Sequence, residues 1–264
     1  LGHPCVGGVA FVYLKNNEGA GMFQSFEVTA RPEQGPPRLR ALRAMLSDRG
    51  LDGFIVPRAD AHQGEYVAPH DDRLAWLTGF TGSAGFCAAL ADVAGVFIDG
   101  RYRTQVKAQV AEDFTPVPWP ETTLGDWLRT QLSAGCCVGF DPWLHTPGQI
   151  EQIESALEGS GVALRPCDNL VDAIWPDQPA PPMAPAKVHP IAFAGEPHTA
   201  KRARLAQVLR DAGQRAAVIT LPDSHNWLLN IRGADIARNP IAQGFAILHD
   251  DATVDLFMAP QKLD

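Results

Sequence analysis

Apolar side chains fall along this chain in two rhythms, one helical and one in short unbroken runs. Leu39, Leu42, Met45 and Leu46 recur every three or four positions between Pro36-Pro37 and Gly50. That spacing predicts a helix over residues 36–50, with proline in its first turn and glycine at its stop. Residues 53–56 form an apolar run ended by Pro57, which predicts a strand. Residues 73–80 predict a helical turn carrying Trp76 and Leu77. Residues 86–90 and 94–98 flank Ala91-Asp92 and predict a hairpin. Helices over 102–110, 124–132 and 147–157 then alternate with strands at 138–140 and 162–164. Farther on, Leu205, Val208 and Leu209 predict the inward face of a helix over 199–212, stopped by Gly213. A strand follows at 216–221, a turn at 223–225, a helical turn at 226–229, and strands at 244–248 and 253–258.

Helices alternating with strands in this order imply an α/β fold. The order also repeats. Gly50 precedes Asp60 by the same spacing as Gly213 precedes Asp223, and Trp76-Leu77 precedes Gly82 as Trp227-Leu228 precedes Gly233. Only the loop between Asp60 and Trp76 is longer than its counterpart. Two tandem domains of one design, with mixed sheets flanked by helices, are therefore expected, the second cut short. The divisions are an N-terminal arm at 1–35, non-native or disordered, a first domain at 36–176, a Pro-rich linker at 177–190 and an incomplete second domain at 191–264. Residues 1–21 carry an apolar run at 6–14 that is too short to span a membrane and has no basic leader, so it is not read as a signal peptide.

Composition narrows the partners. A formal net charge of -8 argues against nucleic acid and anionic membrane surfaces, and 45% hydrophobic residues support a sizeable core. The five cysteines, an odd number with no CxxC pair, fit reduced thiols in the cytoplasm better than a disulfide framework or a zinc site.

The candidate chemistry is sparse. At Phe97-Ile98-Asp99-Gly100-Arg101-Tyr102 an apolar strand ends in turn-forming Asp-Gly, which sets the Arg101 guanidinium at a strand-to-helix corner. Arg101 is either a surface ion-pair residue or a donor aimed at a cleft. The loop bearing His62, Glu65, His70, Asp71 and Asp72 lacks the His-x-x-x-His spacing of a helical metal site and reads as a solvated, hydrogen-bonded segment. Gly79-Phe-Thr-Gly82-Ser-Ala-Gly85 lacks the Lys-Ser/Thr of a phosphate loop. Ser83 has no Gly-x-Ser-x-Gly elbow. Trp227 to Gly233 reads mainly as core, with Asn230 and Arg232 serving a turn. The residues alone describe a two-domain α/β protein without a self-contained catalytic or metal site.

Several separate stretches nevertheless resemble one family. Residues 57–69 (Pro57-Arg58-Ala59-Asp60 onward), 77–85, Asp99-Gly100-Arg101-Tyr102, 138–142, 169–175 and 227–240 closely resemble aminopeptidase P (Xaa-Pro aminopeptidase) in its three-domain form, in the family's order and across roughly residues 36–260. The resemblance implies two creatinase-like N-terminal domains. It also implies a third, pita-bread catalytic domain after residue 264, with two manganese (or zinc) ions held by two Asp, one His and two Glu. The implied enzyme is a homodimeric cytosolic hydrolase that removes the N-terminal residue from peptides with proline second. Its metal-bridging hydroxide attacks the carbonyl before proline. Arg101 matches the one residue of these domains that reaches the substrate pocket, and the segment by itself is expected to be inactive. Residues 1–21 match nothing in the family. The other readings are a non-enzymatic protein-interaction module of the same architecture, whose acidic balance suits basic partners, and a creatinase or prolidase relative.

Overall fold

The computed structural model describes residues 28–263. Residues 1–27, including the apolar run and Cys5, lie outside the described residues, so the expectation of a disordered arm there stands as an expectation. The first repeat comprises α1 (Gly35–Arg49), β1 (Gly53–Pro57), α2 (Arg73–Thr78), β2 (Phe86–Leu90), β3 (Ala94–Ile98), α3 (Gln105–Gln109), β4 (Thr115–Pro118), α4 (Leu124–Gln131), β5 (Cys137–Phe140), α5 (Pro147–Leu157), β6 (Ala163–Pro166) and α6 (Leu170–Ile174). The second comprises β7 (Lys187–Val188), α7 (Ile191–Ala194), α8 (His198–Asp211), β8 (Ala216–Ile219), α9 (Pro222–Leu229), β9 (Ile231–Arg232), β10 (Phe245–His249) and β11 (Val254–Phe257).

Six strands make the first sheet, in the order β4-β3-β2-β1-β5-β6. The β1-β2 and β2-β3 pairs are antiparallel, and the β1-β5, β5-β6 and β3-β4 pairs are parallel. Alternate residues of β1 serve opposite faces, as the two-residue period of a strand requires. Phe54 and Val56 pack with Leu39, Leu42 and Leu46 of α1, Leu77 of α2 and Val171 of α6. Ile55 packs on the other face with Phe97, Val138 and Leu128 of α4. Both faces are thus covered, which is why β1 and β3 read as unbroken apolar runs. The helix boundaries follow local chemistry. Thr146 and Gln149 form a reciprocal capping box at the start of α5. Gly50 ends α1 at φ 58°, with its N–H on the last-turn carbonyls.

The second repeat copies the start of the first. Its sheet runs β11-β10-β8, with both pairs antiparallel, as in β3-β2-β1. The helix before its second sheet strand ends on Asn230 at φ 53°, where α2 ends on Gly79 at φ 87°. Arg38 of α1 donates to Trp76 O and lies 4.4 Å from the Trp76 ring centroid. Lys201, its counterpart in α8, donates to Trp227 O at 2.9 Å and lies 4.3 Å from the Trp227 ring. Each repeat therefore places a cation over an indole and on a carbonyl at a helix C-terminus, where positive charge is favoured.

Some expectations are corrected. The helix foreseen over 102–110 begins at Gln105, because Gly100–Tyr102 is a tighter 3-10 turn. The turn at 223–225 is the first half of α9, opened by Pro222. Val208 is 57% exposed rather than inward, and Trp227 is 43% exposed while Leu228 beside it is buried. The loop over 60–72 is hydrogen-bonded and exposed at Gln63, Glu65, Tyr66 and Pro69, as expected, but Asp60 at its start is buried.

Among the polar ties of the second repeat, Asp235 is a buried carboxylate that links three separate segments. Its side chain is 0% exposed and accepts from Ala184 N at 3.0 Å, Gln243 N at 2.6 Å and Lys262 Nζ at 2.7 Å. It joins the Pro-rich stretch, the loop before β10 and the turn after β11.

Candidate functional site

Because β2 runs antiparallel to both β1 and β3, the C-terminal ends of β1 and β3 and the start of β2 share one edge of the sheet. The C-terminal end of β5, parallel to β1, joins them. Crevices outside strand carboxyl ends are where open α/β sheets place ligands. The chain's separate motifs meet here: Arg58 and the 60–72 loop after β1, Ser83 before β2, and Asp99 to Tyr102 after β3.

Arg101 stands at the rim. Asp99 caps the 3-10 turn by accepting from Arg101 N at 2.9 Å. It also grips the guanidinium, accepting from Nη2 at 2.7 Å and from Nε at 3.1 Å. Two-point contact of this kind fixes direction as well as position. The Arg101 side chain is 64% exposed against 19% for Asp99, so the carboxylate is the sheltered half of the pair. Its bond to Arg101 holds the Asp99 carboxyl below the usual carboxylate range. The guanidinium carbon lies 5.1 Å from the centre of the Tyr102 ring.

Tyr102 ties this turn to the Gly79–Gly85 corner. Its hydroxyl accepts from Ser83 N at 3.1 Å and lies 2.6 Å from Ser83 Oγ, and these bonds draw its pKa below the ordinary phenol value. Phe80 meets the Tyr102 ring edge-on, with centroids 5.5 Å apart. Arg58 donates to Ser83 O at 3.0 Å and to Glu65 O, joining the corner to the loop after β1. The Ser83 hydroxyl is thus engaged by a phenol and not by a base. Cys87, buried in β2, has its thiol pushed up to about 12 by desolvation and is no nucleophile.

Asp60, His62, His70 and Asp71 of the loop are spent on structure. Asp60 accepts from His62 N at 2.9 Å, Gly64 N at 3.2 Å and Gln243 Nε2 of the second repeat at 3.0 Å. His62 Nδ1 donates to Thr220 O at 3.0 Å, and its ring lies 4.5 Å from that of Phe245. His70 Nδ1 donates to Pro179 O at 2.7 Å. Asp71 and Asp172 hold the buried Arg73 at 3.0 and 2.6 Å. Burial raises the Asp71 and Asp72 carboxyls, with Arg73 and Arg58 respectively countering it. Among the described residues, no three His, Cys, Asp or Glu side chains converge in a way that could hold a metal ion. The donor set present does not fit a dinuclear metal centre.

Sequence reasoning singled out Arg101 and the structure places it at the motif edge. It missed Tyr102 and Arg58 as the links between motifs. No local spacing signals these contacts, which join residues 19 and 25 positions apart.

Comparisons with known proteins agree on one family. The creatinase/prolidase N-terminal domain model matches residues 38–174, and a second model of the same description matches residues 177–264. A probable Xaa-Pro aminopeptidase P from Coccidioides posadasii is 36% identical over 247 residues, covering 90% of this chain and 37% of that protein. A probable Xaa-Pro aminopeptidase P from Aspergillus niger is 36% identical over 233 residues, covering 86% and 38%. The crystal structure of X-prolyl aminopeptidase from Caenorhabditis elegans, a cytosolic enzyme with a di-nuclear active site, superposes with a TM-score of 0.82 at 32% identity, over 87% of this chain and 40% of that one. The chain spans about two-fifths of the length of these relatives. Among the described residues no helix is long and apolar enough to cross a membrane.

Proposed function

The chain belongs to the creatinase/prolidase N-terminal domain family, and from that premise we propose that it forms the N-terminal, non-catalytic part of a metal-dependent Xaa-Pro aminopeptidase. In this reading it contributes Arg101 to the substrate pocket and a scaffold to a cytoplasmic homodimer. The metal ions, manganese or zinc, bind ligands supplied by the rest of the longer protein. The observation that carries the reading is the Asp99–Arg101 clamp. A guanidinium held by two-point contact from behind and exposed in front, on a turn that Tyr102 ties to the Ser83 corner, is built to meet something outside this chain. A peptide carbonyl or carboxylate fits its fork of donors.

The test is hydrolysis of a Xaa-Pro-Xaa tripeptide with added manganese, by this chain and by the chain extended along its own reading frame. The expected result is activity in the extended chain alone, with Arg101→Ala lowering kcat/KM about 10- to 100-fold, as loss of a charge-assisted contact of about 1.5–3 kcal/mol implies. Unchanged kcat/KM would remove Arg101 from the pocket. Hydrolysis by the 264-residue chain would overturn the non-catalytic assignment. Inactivity of both would favour the interaction-module reading.

A further inference from the structure

A crevice of about 250 Å³ lies between the two repeats. The loop after β1 lines one wall with His62, Glu65 and Tyr66, and the start of α9 and the loop before β10 line the other with Asp223 and Asn239. Bonds between the repeats hold the walls in place: Asp60 accepts from Gln243 Nε2 at 3.0 Å, and His62 bonds Thr220 O at 3.0 Å. The cavity is therefore formed before any ligand arrives.

Its charge is one-sided. Asp60, Glu65 and Asp223 line it, and no Lys or Arg does. The buried Asp60 already accepts from His62 N, Gly64 N and Gln243. Glu65 and Asp223 are exposed and take part in none of the ion pairs among the described residues. Tyr66 is 51% exposed and Asn239 half-buried. A carboxylate on each wall, an amide oxygen and an aromatic ring make an enclosure rich in acceptors with a π face. Protein walls focus the field of such carboxylates into the cleft. Among the described residues no three His, Cys, Asp or Glu side chains converge to hold a metal ion, so these carboxylates do not close on a point charge. The volume also falls below the about 300–1,000 Å³ of sites that enclose a whole small molecule. An elongated organic cation, one side chain long, meets both limits.

We propose that this crevice binds the side chain of an arginine or lysine in a peptide, with Glu65 and Asp223 as counter-charges and Tyr66 as the stacking face. The Arg101 pKa is raised first by the bond to Asp99 and, farther off, by the charge of Glu65. The crevice thus opens within electrostatic reach of that guanidinium. A peptide carbonyl on Arg101 and a basic side chain in the crevice are two halves of one ligand. That placement rests on the reading of Arg101 as a peptide contact, whereas the charge selection in the crevice does not.

The test titrates N-acetyl-arginine amide and N-acetyl-citrulline amide, which share a shape and differ in charge, into the 264-residue chain and follows amide chemical shifts. The arginine probe is expected to shift Glu65, Tyr66, Asp223 and Asn239 and to bind about tenfold more tightly than the citrulline probe, the worth of a hydrogen bond to a charged group. Glu65→Gln with Asp223→Asn is expected to bring that ratio below about threefold. Tyr66→Leu keeps both charges, is expected to weaken the arginine probe about two- to fivefold, and serves if the double variant does not fold. Hydrolysis plays no part in the readout, so this result and the Arg101→Ala kinetics succeed or fail separately. Equal binding of the two probes, or none, overturns the proposal. So does an arginine preference that survives the double variant, or shifts spread over the acidic surface without centring on the crevice.

Discussion

Asp235→Ala isolates the energetic centre of the second repeat. The substitution removes a fully buried carboxylate and leaves the Lys262 ammonium, 5% exposed, with only Gln243 O at 3.3 Å. Removing one partner of a buried ion pair costs about 3–5 kcal/mol, because the survivor is an uncompensated charge. The N–H groups of Ala184 and Gln243 also lose their acceptor, at about 1–3 kcal/mol each if the loops cannot turn them to water. Relaxation will absorb part of that sum, so about 4 kcal/mol is expected. At about 2–4 °C per kcal/mol for a chain of this size, the midpoint falls by about 8–16 °C. Asp235→Asn retains acceptor capacity and should cost about half as much. The decisive variant is the double one, Asp235→Ala with Lys262→Met, which removes the stranded charge and should recover at least about 2 kcal/mol of the loss. Urea unfolding followed by circular dichroism gives all three values. An Asp235→Ala cost below about 1 kcal/mol, or a double variant no more stable than the single, would refute the account of Asp235 as a buried counter-charge.

Two further predictions follow from packing and titration. A Cβ on Gly125 of α4 would lie 2.4 Å from Ala156 Cβ of α5, so Gly125→Ala should cost about 1–3 kcal/mol by thermal unfolding and Ala156→Gly should restore most of it. His145 and His225 are each lowered to about 4, chiefly by burial. Both stay neutral in the fold while the unfolded chain takes up protons below about pH 6.5, so stability should fall as pH drops from about 6.5 to about 4, by up to about 1.4 kcal/mol per pH unit for each histidine. His225→Gln should flatten that slope, and an unchanged slope would refute its share.

Much of the fold was legible where burial dictates sequence. The hairpin at 86–98, the stop at Gly50 and the repeat all leave local signals, because covered strands must be apolar and left-handed helix stops favour Gly. What was missed leaves none. β4 carries Pro116 and Pro118, tolerated because it is an edge strand, and so reads as loop. α6 is a single short segment whose helicity comes from Asn169 capping Val171 and Asp172 and from packing on α1. The loop after β1 looked solvated because its carboxylates and histidines are polar. Their partners, Gln243, Thr220 and Pro179, lie more than a hundred residues away. At the candidate site the same division holds. Asp99-Gly100-Arg101 declares its own turn, while the Ser83–Tyr102 and Arg58–Ser83 links exist only once the sheet has brought three loops to one edge.

The cation over each indole shows how a duplicated device becomes private to its copy. In the first repeat the helix stop after Trp76 is Gly79, so Arg38 needs only the ring and the carbonyl. In the second the stop is Asn230, whose Oδ1 also accepts from Lys201 Nζ at 2.8 Å while its Nδ2 donates to Glu196 O at 2.9 Å. A planar guanidinium and a point-like ammonium are not exchangeable in such settings. Parts that began as spares for one another therefore no longer fit singly. A graft between the repeats would have to carry cation, indole and stop residue as one cassette, and that trio marks how far the twins have grown apart.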